Sequence, residues 1–152
     1  MIKYNRVIFA GGSGTIREPM AVGIMSKLMP GIQCEARGLV VLFPEPINQK
    51  TEAVLASNDI ELTAFESKAL IEEDFAPGTL VIAMDQSDYQ KILGQFKASA
   101  QENVALLSEY VEDELEVLNP YGQSIQVYGL CYETLYNTLI KLREKIQEGY
   151  HE

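Results

Sequence analysis

The sequence predicts a single α/β domain, residues 1–152, built as a three-layer sandwich in which helices flank a four-stranded parallel sheet. Three observations carry this prediction. The candidate strands are continuously apolar rather than alternating, which is the pattern of strands covered on both faces. They alternate along the chain with helical segments. A chain of 152 residues suits one domain that buries roughly two thirds of its unfolded surface.

Val7 to Ala10 forms a short apolar run that enters the glycine-rich turn Gly11-Gly12-Ser13-Gly14. A helix from Glu18 to Leu28 follows, with Pro19 in the first turn, where its missing N–H costs nothing. Met20, Ile24 and Leu28 give that helix an apolar face, and Pro30-Gly31 ends it. Gly38 to Phe43 (GLVVLF) is the second predicted strand, closed by Pro44 and Pro46. Asn48 is placed to cap a helix from Gln49 to Ser57, and Leu70 to Asp74 adds a helical turn.

Pro77-Gly78 precedes TLVIAMD, a third strand ending at Asp85, and SDYQKILGQFK reads as the helix after it. Val104 to Leu107 is the fourth strand, leading through the acidic run Glu109 to Glu116 into LNPYG. The last helix extends from Gln123 to about Gln147, with Tyr128, Cys131, Leu135, Leu139, Leu142 and Ile146 as its apolar stripe.

Composition excludes several function classes. Twelve Lys and Arg against 22 Asp and Glu give a formal net charge of −10, which repels phosphate backbones and anionic membranes, so neither nucleic acid nor membrane is an expected partner. No apolar run approaches the roughly 20 residues of a membrane helix, and no secretory leader pattern heads the chain, so the expected location is the cytoplasm. Cys34 and Cys131 are too few for a disulfide framework or thiolate metal site. The single histidine, His151, lies next to the C-terminus, outside any catalytic triad or zinc site. No metal or cofactor is expected.

In a parallel sheet, ligands bind at the carboxyl ends of the strands, which is where Gly11 to Ile16 fall. Backbone N–H groups of such a loop, with the positive end of the helix behind it, form an anion cradle, and Arg17 adds a planar fork that can hold two oxygens. The spacing Gly12-x-Gly14-x-x-Arg17 lacks the third glycine of a dinucleotide loop, and no Gly-Lys-Ser/Thr follows to make a nucleotide P-loop.

The phrase VIFAGGSGTIREPMAVGI, at the N-terminus, resembles the phosphate-binding loop of the low-molecular-weight protein tyrosine phosphatases, usually close to V-L-F-V-C-x-G-N-x-C-R-S-P-M-A-E. Val7, Ile8 and Phe9 match the strand, Arg17 the loop arginine, and Pro19, Met20 and Ala21 the start of the helix. VIAMDQSDYQKIL is similar to that family's third strand and Met-Asp, and LNPYGQSIQVY to its Asp-Pro-Tyr loop and last helix.

The resemblance implies a catalytic cysteine thiolate six residues before the arginine and an aspartic acid that protonates the leaving oxygen. The corresponding positions here are Gly11 and Asn119, just before Pro120. The second loop cysteine is replaced by Ile16, the Gly-Asn pair by Ser13-Gly14, and the thiolate-supporting serine by Glu18. By resemblance, Gly11, Gly12, Ser13, Gly14, Thr15, Ile16 and Arg17 form the phosphate loop, and Tyr121 is an aromatic wall of the pocket.

The expected function is therefore that of a catalytically deficient relative binding phosphate, phosphotyrosine or another oxyanion, alone or on a phosphorylated protein. Two alternatives stand beside it: an active phosphomonoester hydrolase with a non-standard nucleophile, a water or a hydroxyl around Ser13 or Thr15, or a structural, partner-binding domain with a vestigial loop. Arg17 serves either an anion or a neighbouring carboxylate. Glu18 satisfies the helix dipole by itself and repels a dianion, which makes the site self-filled or selective for a weaker anion. Asp85 either lines the mouth of the site or caps the next helix. Cys34 and Cys131 read as packing residues. The acidic run is a solvated loop or a surface for a basic partner.

Overall fold

The computed structural model describes residues 4–100 and 103–148; the predicted role of His151 lies outside them. Strands β1 (Arg6–Ala10), β2 (Gln33–Arg37), β3 (Thr79–Ala83) and β4 (Val104–Leu106) form one parallel sheet in the order β2-β1-β3-β4. Helices α1 (Arg17–Leu28), α2 (Gln49–Ser57), α3 (Gln86–Gln95), α4 (Leu107–Tyr110) and α5 (Ile125–Glu148) connect and cover it.

Alternate side chains of the central strands feed two cores. Val7, Phe9, Leu80 and Ile82 face α1, α2 and α5, in a cluster that includes Met20, Ile24, Tyr128, Leu135 and Leu139. Ile8, Ala10, Val81 and Ala83 face Leu70, Phe75 and Ile92 on the opposite side. This gives the predicted three layers, and it explains why β1 and β3 read as unbroken apolar runs. All six predicted stripe residues of α5 are buried, each large apolar one contributing about 1.5–3 kcal/mol on burial.

The boundaries follow local chemistry. Asn48 caps α2 as predicted, its Oδ1 accepting from the N–H groups of Lys50 (2.9 Å) and Thr51 (3.1 Å). Its own N–H donates to Thr15 O, tying that helix to the glycine-rich loop. The helical turn expected at Leu70 to Asp74 is a 3-10 turn, Glu72–Asp74, and the last helix begins at Ile125 rather than Gln123.

The second strand is a correction. Gly38 to Phe43 is not a strand: Val40, Leu42 and Phe43 are exposed, and the strand is the polar segment Gln33–Arg37. β2 is the edge of the sheet, paired with β1 alone, so it needs no apolar coat on two faces. Its charged residues join a network instead, with Glu35 pairing with Arg6 and Arg37, and Asp74 bridging the same two arginines at 3.2 Å each. GLVVLF leaves the sheet because its backbone N–H groups are used elsewhere: those of Leu39 and Val40 donate to Gly12 O at 2.7 and 3.1 Å.

No helix among the described residues is long and apolar enough to cross a membrane.

Candidate functional site

The chain reverses its direction of progress across the sheet between β1 and β3, and the crevice at their carboxyl ends is where such sheets place ligands. The loop Gly11 to Ile16 leaves β1 there, and Asp85 leaves β3 beside it.

The loop is held from several sides. Gly11 N–H donates to Arg37 O (3.1 Å), Gly14 N–H closes a turn onto Gly11 O (2.9 Å), and the hydroxyls of Ser13 and Thr15 are bonded to each other at 2.7 Å. Gly14 has a φ of +76° and packs so closely against the next segment that a Cβ atom would lie 2.7 Å from Gly38 N. Only glycine fits both demands. Ile16 stands before the first turn of α1 and is buried, without a side-chain cap.

Arg17, 4 % exposed, is engaged by protein groups through both terminal nitrogens. Nη2 donates to Asp85 Oδ2 at 2.7 Å and lies 3.5 Å from Asp88 Oδ2, while Nη1 donates to Val117 O at 2.9 Å. Arg17 thus pairs with Asp85 and Asp88, two carboxylates other than its sequence neighbour Glu18. Asp85 combines both of its expected roles: it faces the site through Arg17 and caps α3, accepting from Asp88 N–H at 2.9 Å.

Asp88 was not legible as a site residue. Its carboxylate enters the loop and accepts the backbone N–H of Gly12 at Oδ1, 3.2 Å. Its other oxygen is buried, with no hydrogen-bond partner beyond the ion-pair distance to Arg17. A Cβ atom at position 11 would lie 2.5 Å from Asp88 Oδ2 and 2.7 Å from Glu18 Oε2. Two carboxyl groups therefore converge on the space that any side chain at Gly11 would occupy. The available signal was the pair Asp85-x-x-Asp88 at the start of a helix that follows the β3 strand end.

The electrostatics follow from this crowding. Burial pushes the Glu18 carboxyl up to about 8; Arg17 and the residue's own backbone N–H oppose the rise, and Asp88 and Asp85 add to it. Asp88 is raised by burial and by the charge of Asp85, against the pull of Gly12 N–H and Arg17. Burial alone would raise Asp85 as well, but Asp88 N–H and Arg17 outweigh it and hold that carboxyl below its usual range. Burial thus favours the protonated form of Glu18 at neutral pH, whereas the carboxyl of Asp85 is held towards its ionised form.

The remaining predicted residues lie at the margin. Asn119 Oδ1 accepts from Tyr121 N–H at 3.1 Å in an exposed turn, and Tyr121 is itself 73 % exposed. Cys131 is buried on α5, its Sγ donating to Leu118 O at 3.6 Å, and burial pushes its thiol up to about 11; Cys34, half-buried in β2, is pushed up to about 12. Neither has thiolate character at neutral pH, in keeping with the packing role expected of both. Among the described residues, no group of three or more His, Cys, Asp or Glu is arranged to hold a metal ion.

Comparison with known proteins matches the chain and its fold to one family. The model of the family described as low molecular weight phosphotyrosine protein phosphatase matches residues 6–151. A low molecular weight protein-tyrosine-phosphatase, PtpB of Staphylococcus aureus, is 28 % identical over 141 residues, covering 93 % of this chain and 99 % of that protein. Among solved structures, the low molecular weight protein tyrosine phosphatase from T. tengcongensis superposes with a TM-score of 0.83 at 29 % identity, covering 92 % of this chain and 98 % of the other. The YwlE arginine phosphatase from Geobacillus stearothermophilus gives 0.86 at 25 % identity, covering 95 % and 94 %.

Proposed function

The chain belongs to the low molecular weight phosphotyrosine protein phosphatase family, and from that premise we propose that it is a catalytically deficient member whose anion cradle is filled by its own carboxyl groups. The observation that carries this reading is the convergence of Asp88 Oδ2 and Glu18 Oε2 on position 11, within 2.5 and 2.7 Å of where a side chain would begin.

In the family, that position supplies a thiolate, and the loop's positive field lowers its pKa and aims it at phosphorus. Here the residue is glycine, and the field is directed inward. Gly12 N–H and Arg17 serve Asp88 and Asp85. Asn119, at the position of the general acid, has an amide that delivers no proton at neutral pH. Nucleophile and acid act as a unit in which each is worth several powers of ten in rate, so their joint loss removes the covalent route. Ser13 and Thr15 are bonded to one another rather than to a base, which argues against a hydroxyl nucleophile.

An external phosphate, phosphotyrosine or other oxyanion reaches the same donors only by displacing Asp88. Displacement is easiest when Glu18 and Asp88 are both protonated, so any such binding strengthens as pH falls. The loop thus remains an anion site in design, and its resident anion is internal.

Turnover decides it. Purified protein offered p-nitrophenyl phosphate and a phosphoarginine peptide, the two substrate chemistries suggested by its relatives, is expected to hydrolyse neither faster than its Arg17→Lys variant. Turnover that depends on Arg17 overturns the proposal, and turnover abolished by Ser13→Ala or Thr15→Val would assign the nucleophile to a loop hydroxyl.

A further inference from the structure

Away from the loop, one face of α5 is left open. Val127, Leu130, Thr134, Asn137 and Lys141 follow one another at helical spacing along the side of α5 that borders the segment 113–120, and the two elements enclose a groove of about 680 Å³. From Val127 to Lys141 the open face is about 21 Å long at 1.5 Å per residue. Its three leucines are exposed: Leu115 is 83 %, Leu118 73 % and Leu130 62 % accessible.

The wall opposite α5 is tied down at both ends. At one end, Asp113 pairs with Lys141 and accepts from the Thr138 hydroxyl. At the other, Arg17 Nη1 donates to Val117 O, and Cys131 Sγ donates to Leu118 O. Val111 and Val117 are buried as anchors, which leaves Leu115 and Leu118 directed away from the core. The groove is therefore preformed, and an occupant loses little affinity to ordering it. Exposed leucines gathered along such a channel are the feature that marks an interaction site on a monomer surface.

Charge selects the occupant. Glu114 and Glu116 stand on the rim, and the one lysine that lines the groove is already neutralised by Asp113. The chain carries a formal net charge of −10. A second copy would bring the same acidic rim against itself. A straight groove beside a helix, with an apolar floor and carboxylates along its edge, matches a helix with leucine-like residues on one face and lysine or arginine flanking them.

We propose that the groove between α5 and the segment 113–120 docks a basic amphipathic helix of a partner protein, its apolar face on Leu115, Leu118 and Leu130 and its cations on Glu114 and Glu116. Through Val117 O, the groove wall rests on Arg17, so the loop arginine supports a binding surface. This surface does not depend on whether the loop is catalytically competent.

The test uses a fluorescein-labelled synthetic helix with leucines at i, i+3, i+4 and i+7 and lysines elsewhere, compared with its glutamate counterpart by anisotropy. The basic peptide is expected to bind and the acidic one not to. The double variant Leu118→Ser/Leu130→Ser, which keeps the net charge, is expected to weaken binding at least about tenfold. Leu42→Ser, on a different exposed loop, is expected to leave binding unchanged, and thermal melting verifies that all variants fold. Equal binding to both leucine variants would mean unspecific attraction to an acidic protein and would overturn the proposal. So would binding of the acidic peptide, absence of binding, or self-association of the chain that the double variant abolishes.

Discussion

Arg17→Ala is expected to lower the unfolding free energy by about 3–5 kcal/mol at neutral pH, the usual cost of removing one partner of a buried ion pair. The guanidinium is 4 % exposed and is the cation facing Asp85, Asp88 and Glu18. Its removal leaves up to three crowded carboxyl groups and frees Val117 O. Protonation relieves the crowding, so the loss is expected to shrink as pH falls towards the ordinary carboxyl range. Urea unfolding at acidic and neutral pH measures both effects. An arginine waiting in solvent for an external phosphate would behave differently: its removal would change stability by less than about 0.5 kcal/mol, as at an ordinary surface position.

The second expected result concerns Glu18. Its folded-state carboxyl is raised to about 8 from an ordinary value of 4.5, mainly by burial. Between those values the folded state binds the proton that the unfolded state releases, so this group's contribution is complete below about 4.5 and is lost as pH rises to about 8. The slope for one such group is on the order of 1.4 kcal/mol per pH unit. Glu18→Gln, which mimics the protonated form, is expected to match the parent near pH 4.5 and to become progressively more stable than it towards pH 8. The difference between the two proteins isolates Glu18 from the opposite contribution of Asp85, whose lowered carboxyl stabilises at higher pH. A stability difference that does not change with pH would mean that Glu18 is solvated and ionised.

Both results bear on why the site could be located from the sequence and yet not be completed there. The loop was visible because glycines after an apolar run, followed by a helix with Pro19 in its first turn, constrain the backbone whatever surrounds them. Gly11, Arg17 and Asn119 followed from a resemblance along the chain. Asp88 did not, because it is brought to Gly12 N–H by the neighbouring strand and helix, a contact spanning 76 residues. For the same reason the sequence leaves the partner of Arg17 open between an anion and a carboxylate, and does not single out Asp85 and Asp88.

The fold divides along similar lines. β1 and β3 are central and covered on both faces, so hydrophobicity alone reports them. β2 lies at the edge, and its segment QCEAR carries ion pairs instead. The neighbour GLVVLF is the more apolar of the two, although its backbone is committed to Gly12 and Val40, Leu42 and Phe43 stand in solvent. Apolar content in that segment belongs to the surface of the protein, as it does along the open side of α5.

The filled cradle is tested most directly by a crystal structure of the protein soaked in tungstate at neutral pH. The account predicts Asp88 Oδ1 on Gly12 N–H, Arg17 on Asp85 and Asp88, and no tetrahedral density among Gly11 to Arg17. A tungstate seated in the loop, with Arg17 turned onto two of its oxygens and Asp88 displaced, would contradict it.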